Sequence, residues 1–213
     1  MRTADLTPDL LLSAYAQGIF PMAETRDSGV LHWFDPQRRG ILPLDNFHIS
    51  HSLRRFVLRE NFTIRTNSAF SAVVAGCAAR PETWISAGLV DLYDKLHDRG
   101  LAHSVEVWDA QGLAGGVFGI ALGGAFFGES MFSQRTNASK IALVWLVDRL
   151  RRAGFSLLDT QYITPHLQTL GGREIPRAAY RALLARALAR RCQFTAPPEE
   201  GAQSVLQRMT QTS

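Results

Sequence analysis

Between residues 62 and 190 the apolar pattern changes period in one continuous order, and that order limits the folds open to the chain. A strand pattern at 62–65 precedes helical patterns at 69–79 and 86–98. The second carries Leu89, Leu92, Tyr93 and Leu96 on one face, with Gly100 as terminator. Residues 104–108 then alternate, 109–112 turn, 117–122 return, and Gly123-Gly124 makes a tight hairpin into 125–132. A helix starts at Asn137 or Ala138, runs through Ile141, Val144, Trp145 and Leu150 to Ala153, and ends at Gly154. Residues 155–163 form another strand. Thr164-Pro165 opens a short helix that Gly171-Gly172 stops, and 175–190 form the last long helix. The order is β-α-α-β-β-β-α-β-α.

The flanks carry weaker signals. Residues 6–18 read as a short amphipathic helix with Thr7 as N-cap, Pro8 in the first turn and Gly18 as stop. Residues 20–43 read as loop, because Pro21, Gly29, Pro36, Gly40 and Pro43 punctuate a run of aromatics; so long a connector favours a functional surface. Helical periodicity returns at 50–59. From Pro197 onward the tail is polar and expected to fray. The 213 residues suit one main domain with a small appendage.

Apolar residues at 46% and charged residues at 20% permit a full core. A net charge of +4 and a pI near 9.5 are compatible with a polyanion partner without requiring one. No apolar run reaches the roughly 18 residues that a membrane helix needs, and residues 1–12 lack the regions of a secretory signal. Cys77 and Cys192 lie far apart, which reads as two reduced structural thiols in a cytosolic protein. His48, His51, His97, His103 and His166 show no ligand spacing, so no metal and no cofactor are expected.

The element order resembles the core of the GNAT acyltransferase fold: α+β, a mixed, mostly antiparallel sheet with flanking helices, splayed open beside the helix after its fourth strand. Fold alone assigns no function. In acyl-CoA enzymes of that fold the turn before this helix carries glycines that let backbone N–H groups wrap a pyrophosphate. Here the turn reads Ser133-Gln134-Arg135-Thr136-Asn137-Ala138-Ser139-Lys140, with no glycine. An acyl-CoA-dependent N-acyltransferase is therefore the second hypothesis, and a non-catalytic RNA-binding module the third. The helix start, with Lys140 nearby, is an anion site in principle and suits RNA phosphate.

A closer resemblance rests on many short motifs in register. Tyr15-Ala16-Gln17-Gly18-Ile19-Phe20-Pro21, Thr83-Trp84-Ile85 and Ala102-His103-Ser104-Val105-Glu106-Val107-Trp108 resemble the leucyl/phenylalanyl-tRNA–protein transferase family. So do Gly128-Glu129-Ser130-Met131-Phe132-Ser133, Asn137-Ala138-Ser139-Lys140, Asp159-Thr160-Gln161 and His166-Leu167-Gln168-Thr169-Leu170-Gly171. The family moves Leu or Phe, and possibly Met, from aminoacyl-tRNA to proteins beginning with Arg or Lys, marking them for degradation. The resemblance implies a reduced N-terminal helix and loop segment over 1–45, a GNAT-like catalytic domain over 46–196 and a polar tail over 197–213. Against longer members the chain begins late.

The resemblance also implies roles. The aminoacyl ester is already activated, so aminolysis needs proximity, a deprotonated amine and stabilised charge on the carbonyl oxygen. Asp159 and Gln161 share one strand face. In the implied mechanism Asp159 polarises Gln161, whose oxygen accepts from the attacking amine; on residues alone, the pair also reads as a buried structural one. Glu129, in an apolar strand, needs a partner, either an ammonium or other cation of the substrate or a structural salt bridge. Val117, Met131, Leu143, Leu146 and Leu158 would line the Leu/Phe pocket, although each also reads as core. The terminal adenosine of the tRNA would stack on Trp84, with Tyr15 and Trp33 as further candidates; family members often carry Trp where this chain has Met22. Arg54, Arg55 and Arg59, and a second cluster of Arg149, Arg151 and Arg152, are candidates to track the acceptor stem.

Overall fold

The computed structural model describes residues 2–59 and 61–210. Its frame is a seven-stranded sheet. In spatial order the strands are β4 (Thr63–Thr66), β5 (Ala102–Asp109), β6 (Gly112–Leu122), β7 (Ala125–Ser133), β8 (Leu157–Gln161), β3 (Arg38–Ile41) and β9 (Arg173–Pro176). Neighbours run antiparallel except β7 and β8, which are parallel and joined through helix α5 (Ala138–Arg152). The chain is thus α+β with a mostly antiparallel sheet. From β4 to α7 (Arg177–Leu188) its elements follow the order expected from periodicity, with β9 added after the short α6 (Pro165–Gln168).

Local chemistry explains many boundaries. Thr7 accepts from the Leu10 N–H at 3.2 Å to start α1 (Pro8–Ala16), and Gly18 follows its end at φ +82°. Ser50 caps α2 (His51–Val57) in the same way. Leu122 pairs with Ala125 across the two-glycine hairpin.

Residues 20–43 are not loop. β1 (Phe20–Ala23) and β2 (Leu31–Phe34) form an antiparallel ribbon in which the Phe20 and Phe34 rings stack 5.7 Å apart. β3 enters the main sheet, with Ile41 opposite Asp159 and Arg39 opposite Ile175. Such short strands show little period of their own; pairing with distant residues makes them. The N-terminal part is accordingly more than one helix and a loop.

The tail is not frayed over its described part. Helix α8 (Ala202–Thr210) buries Ala202, Val205, Leu206 and Met209 in the same cluster as Trp145 and Leu150 of α5, a helical spacing that its polar neighbours obscure. The arginines of α5 hold this tail. Arg149, 5% exposed, donates to the carbonyls of Phe194 and Pro197 at 3.1 and 2.7 Å and pairs with Glu199 at 2.7 Å. Arg152 pairs with Glu200 at 2.9 Å, and Arg151 faces the Met209 sulfur. The expectation that this cluster tracks RNA is therefore corrected: Arg149 and Arg152 donate to the protein's own carbonyls and carboxylates, and Arg151 faces the Met209 sulfur.

The sheet buries both faces. Phe126 lies with Leu146, Leu150 and Phe155 on one side, while its neighbour Phe127 lies with Tyr15, Phe118 and Tyr180 on the other. The second side is covered by α1, α3 (Phe70–Ala78), α4 (Ala87–Asp98) and α7. Among the described residues no helix is long and apolar enough to cross a membrane.

Candidate active site

β7 and β8 pair at only three positions, from Ala125 opposite Leu157 to Phe127 opposite Asp159. Beyond them lies a cavity of about 220 Å³, lined by both strands. β7 supplies Gly128, Glu129, Ser130 and Met131, with Val117 beside them on β6. β8 supplies Leu158, Thr160 and Gln161, and α5 supplies Leu143 and Leu146. Phe20, Met22, Arg80 and Trp84 add to the wall from the N-terminal ribbon and the segment between α3 and α4, and Tyr162, Thr164 and Leu167 from the segment after β8. Val117, Met131, Leu143, Leu146 and Leu158 thus share one space with Trp84, Glu129 and Gln161, as a bipartite apolar and polar lining.

Glu129 reaches this space through a β-bulge. Gly119 pairs with Gly128 and Phe118 with Ser130, which leaves Glu129 as the extra residue. Only glycine fits at 119, since a Cβ there would lie 2.2 Å from the Phe127 carbonyl oxygen. The Glu129 carboxylate accepts from the Tyr15 hydroxyl at 2.7 Å and the Tyr93 hydroxyl at 2.8 Å. Its direct partners in the protein are therefore two phenols, not the salt bridge weighed from sequence. Burial raises its pKa from the ordinary 4.5 to about 7, against the pull of both hydroxyls. Burial and the neighbouring Glu129 also push both phenols upward, so they remain donors.

The Asp159–Gln161 pair differs from the strand geometry expected. Gln161 takes a left-handed φ of +58°, so alternation ends there. The Asp159 carboxylate contacts Gln161 through the Gln161 backbone N–H, at 2.8 Å. It is otherwise held by Arg39, Nε to Oδ1 at 2.9 Å and Nη2 to Oδ2 at 2.6 Å, and by the Tyr180 hydroxyl at 2.7 Å. The polarising contact between the two side chains is thereby replaced by a backbone one. The Gln161 amide is satisfied with its nitrogen donating to the carbonyls of Gly128 at 3.0 Å and Thr160 at 3.1 Å, an orientation assigned from the hydrogen-bond pattern. Its oxygen is then the acceptor.

The remaining candidates separate. Tyr15 is 0% exposed and its ring packs on Phe127 with 4.8 Å between centroids, so no face is open to a base and its candidacy as an adenosine platform is corrected. Trp33 stands opposite Pro21 in the N-terminal ribbon and is not part of the lining. Arg54 and Arg55 are exposed on α2, Arg59 is exposed just after it, and Lys140 is half-buried in the first turn of α5. Sequence reasoning missed Arg39 and Tyr180. Pro36-Gln37-Arg38-Arg39 lies in the stretch read as loop, and only the apolar Ile41-Leu42 that follows is a local sign of burial.

Comparison with known proteins places these features in context. Residues 41–185 match the family described as leucyl/phenylalanyl-tRNA protein transferase, and residues 4–37 match that family's N-terminal domain. A leucyl/phenylalanyl-tRNA–protein transferase of Ruegeria sp. (strain TM1040) is 58% identical over 208 residues, covering 98% of this chain and 99% of the relative. One of Paramagnetospirillum magneticum is 57% identical over 193 residues, covering 89% and 92%. Among solved structures, L-PGS from Bacillus licheniformis superposes with a TM-score of 0.47 at 14% identity, over 86% of this chain and 77% of that one.

Proposed function

The chain belongs to the leucyl/phenylalanyl-tRNA–protein transferase family, enzymes that move an aminoacyl group from tRNA to a protein, and from that premise we propose how its cavity performs the transfer. The leucyl or phenylalanyl side chain, or that of Met, enters among Val117, Met131, Leu143, Leu146 and Leu158. The flexible Met131 thioether adapts to branched and aromatic guests alike. The terminal adenine stacks on Trp84, and the acceptor stem runs toward Arg54, Arg55, Arg59 and Lys140. Glu129, as the anion, attracts an ammonium group of the substrates.

The acceptor is a protein beginning with Arg or Lys, which the added residue marks for degradation in the cytoplasm. Its amine attacks the ester carbonyl. The C–N bond forms, the bond to the ribose oxygen breaks, and the proton lost by the amine ends on that leaving oxygen. Gln161 Oε1 accepts from the amine and orients it. A GNAT-like domain behind an N-terminal segment is the architecture we assign to this chemistry, reaching beyond 46–196 to take in β3 and α8. The glycine-free turn before α5, where Arg135 pairs with Asp109 at 3.0 Å, supports tRNA over acyl-CoA as donor.

The observation that carries this reading is the meeting of an apolar lining with the Gln161 acceptor in one cavity. Its test is direct: purified protein, leucyl-tRNA and a peptide beginning with Arg, analysed by mass. The peptide gains one leucyl residue; an unchanged mass overturns the reading.

A further inference from the structure

We propose that Arg39 is a positioning residue for the transfer: through Asp159 it fixes the backbone of Gln161, so that strand β3 aims the acceptor oxygen into the cavity from behind. The inference rests on the role given to Gln161 above. Arg39 is 1% exposed. Besides its fork onto Asp159 it donates Nη1 to the Gly18 carbonyl at 2.8 Å, and its guanidinium lies 4.5 Å from the Phe20 ring and 4.6 Å from that of Tyr180. One guanidinium thus ties Phe20, on one wall of the cavity, to the strand end that bears Gln161, on another.

Asp159 has no oxygen to spare for a relay. Oδ1 accepts from Arg39 Nε and the Gln161 N–H, and Oδ2 accepts from Arg39 Nη2 and the Tyr180 hydroxyl. What the carboxylate supplies is geometry. A left-handed φ is unfavourable for a residue with a Cβ, and the Asp159–Gln161 N–H bond holds that conformation in place. Gly40 gives independent support. It stands opposite Gln161 in register, and a Cβ there would lie 2.6 Å from the Tyr162 carbonyl carbon and 2.8 Å from its oxygen. β3 therefore acts on the Gln161–Tyr162 turn from two successive residues, Gly40 by close approach and Arg39 through Asp159. A buried ion pair is a poor way to stabilise a sheet, since apolar residues of similar volume often serve better. It is a good way to fix one geometry.

The test is single-turnover transfer from saturating leucyl-tRNA to an Arg-initial peptide, with thermal unfolding followed in parallel. Wild type is compared with Arg39→Lys, Gln161→Ala and the double variant. Arg39→Lys keeps the charge and loses the fork; it should slow transfer roughly 10–100-fold and change donor Kd by less than about threefold. On the Gln161→Ala background the same change should cost no more than about twofold, because residues acting as a unit are not additive. A wild-type rate in folded Arg39→Lys, or an equal loss on both backgrounds, overturns the inference. A wild-type rate in Gln161→Ala alone overturns the reading of Gln161 instead, and this inference with it. Should Arg39→Lys not fold, Tyr180→Phe carries the same cycle: about 3–10-fold slower alone, with no further loss beside Gln161→Ala.

Discussion

The Tyr93 hydroxyl lies 2.8 Å from Glu129 Oε2 while Tyr15 holds Oε1 at 2.7 Å, so two helices grip one bulged carboxylate. The pKa of Glu129 in the fold, about 7, exceeds its ordinary 4.5. Stability linked to its proton is therefore complete below about 4.5 and is lost as pH rises through about 7. Urea midpoints of wild type should fall relative to Glu129→Gln across this window, and transfer should rise as the anion forms. Tyr93→Phe removes a donor to the carboxylate and should shift both midpoints to higher pH. Parallel profiles for wild type and Glu129→Gln would exclude Glu129 as the titrating group.

Trp84→Ala should weaken productive donor binding by about 1–3 kcal/mol if adenine stacks there. Trp84 is half-buried, so unfolding is measured first. Unchanged donor Kd in a folded variant removes Trp84 from the site.

The two arginine clusters should behave oppositely. Alanine at Arg54, Arg55 and Arg59 together should weaken donor binding and flatten its log–log salt dependence by about 2–3. Arg149→Ala should leave that slope alone and cost about 2–4 kcal/mol of stability, because the Phe194 and Pro197 carbonyls lose a charged donor. Salt titration by filter binding and urea unfolding separate the two; a changed slope for Arg149→Ala would contradict the assignment.

Leu146→Phe adds a ring to the cavity. Transfer of phenylalanine should fall about 10–100-fold relative to leucine, within what one pocket contact can discriminate. An unchanged ratio of kcat/KM values for the two donors would place the aminoacyl side chain elsewhere.

Gln161→Ala should slow transfer by about 10²–10⁴-fold with donor binding retained. Asp159→Ala differs in kind. It strands Arg39 without its carboxylate and should destabilise the protein by about 3–5 kcal/mol. Equal stability of the two variants, measured by thermal unfolding, would show that Arg39 finds another partner.

The sheet from β4 to β8 and its helices were legible because their signals are local: Gly123-Gly124 between two apolar runs, or Ile141, Val144 and Trp145 at helical spacing. The cavity's apolar residues were named through family resemblance, since Leu143 and Leu146 by periodicity alone are indistinguishable from core. What escaped depends on distant partners. No neighbour of Arg39 in the chain announces Asp159, and nothing near Glu129 marks it as a bulge, because the missing pair is counted on β6. Tyr15 was misjudged for the same reason; its burial is imposed by Glu129 and Phe127.

The place of β3 between β8 and β9 has a consequence for how the enzyme is made. A chain leaves the ribosome from its N-terminus, so Arg38–Ile41 emerges long before either of its sheet neighbours, β8 and β9. Until β8 has emerged, Ile41 has no Asp159 to pair with and Arg39 no carboxylate, although β5, β6 and β7 can already form their hairpins. Pairings of such long sequence separation are slow to close. The nascent chain therefore acquires its β5–β7 scaffold first, and the Arg39–Asp159–Tyr180 cluster behind the candidate site only once α7 has been translated.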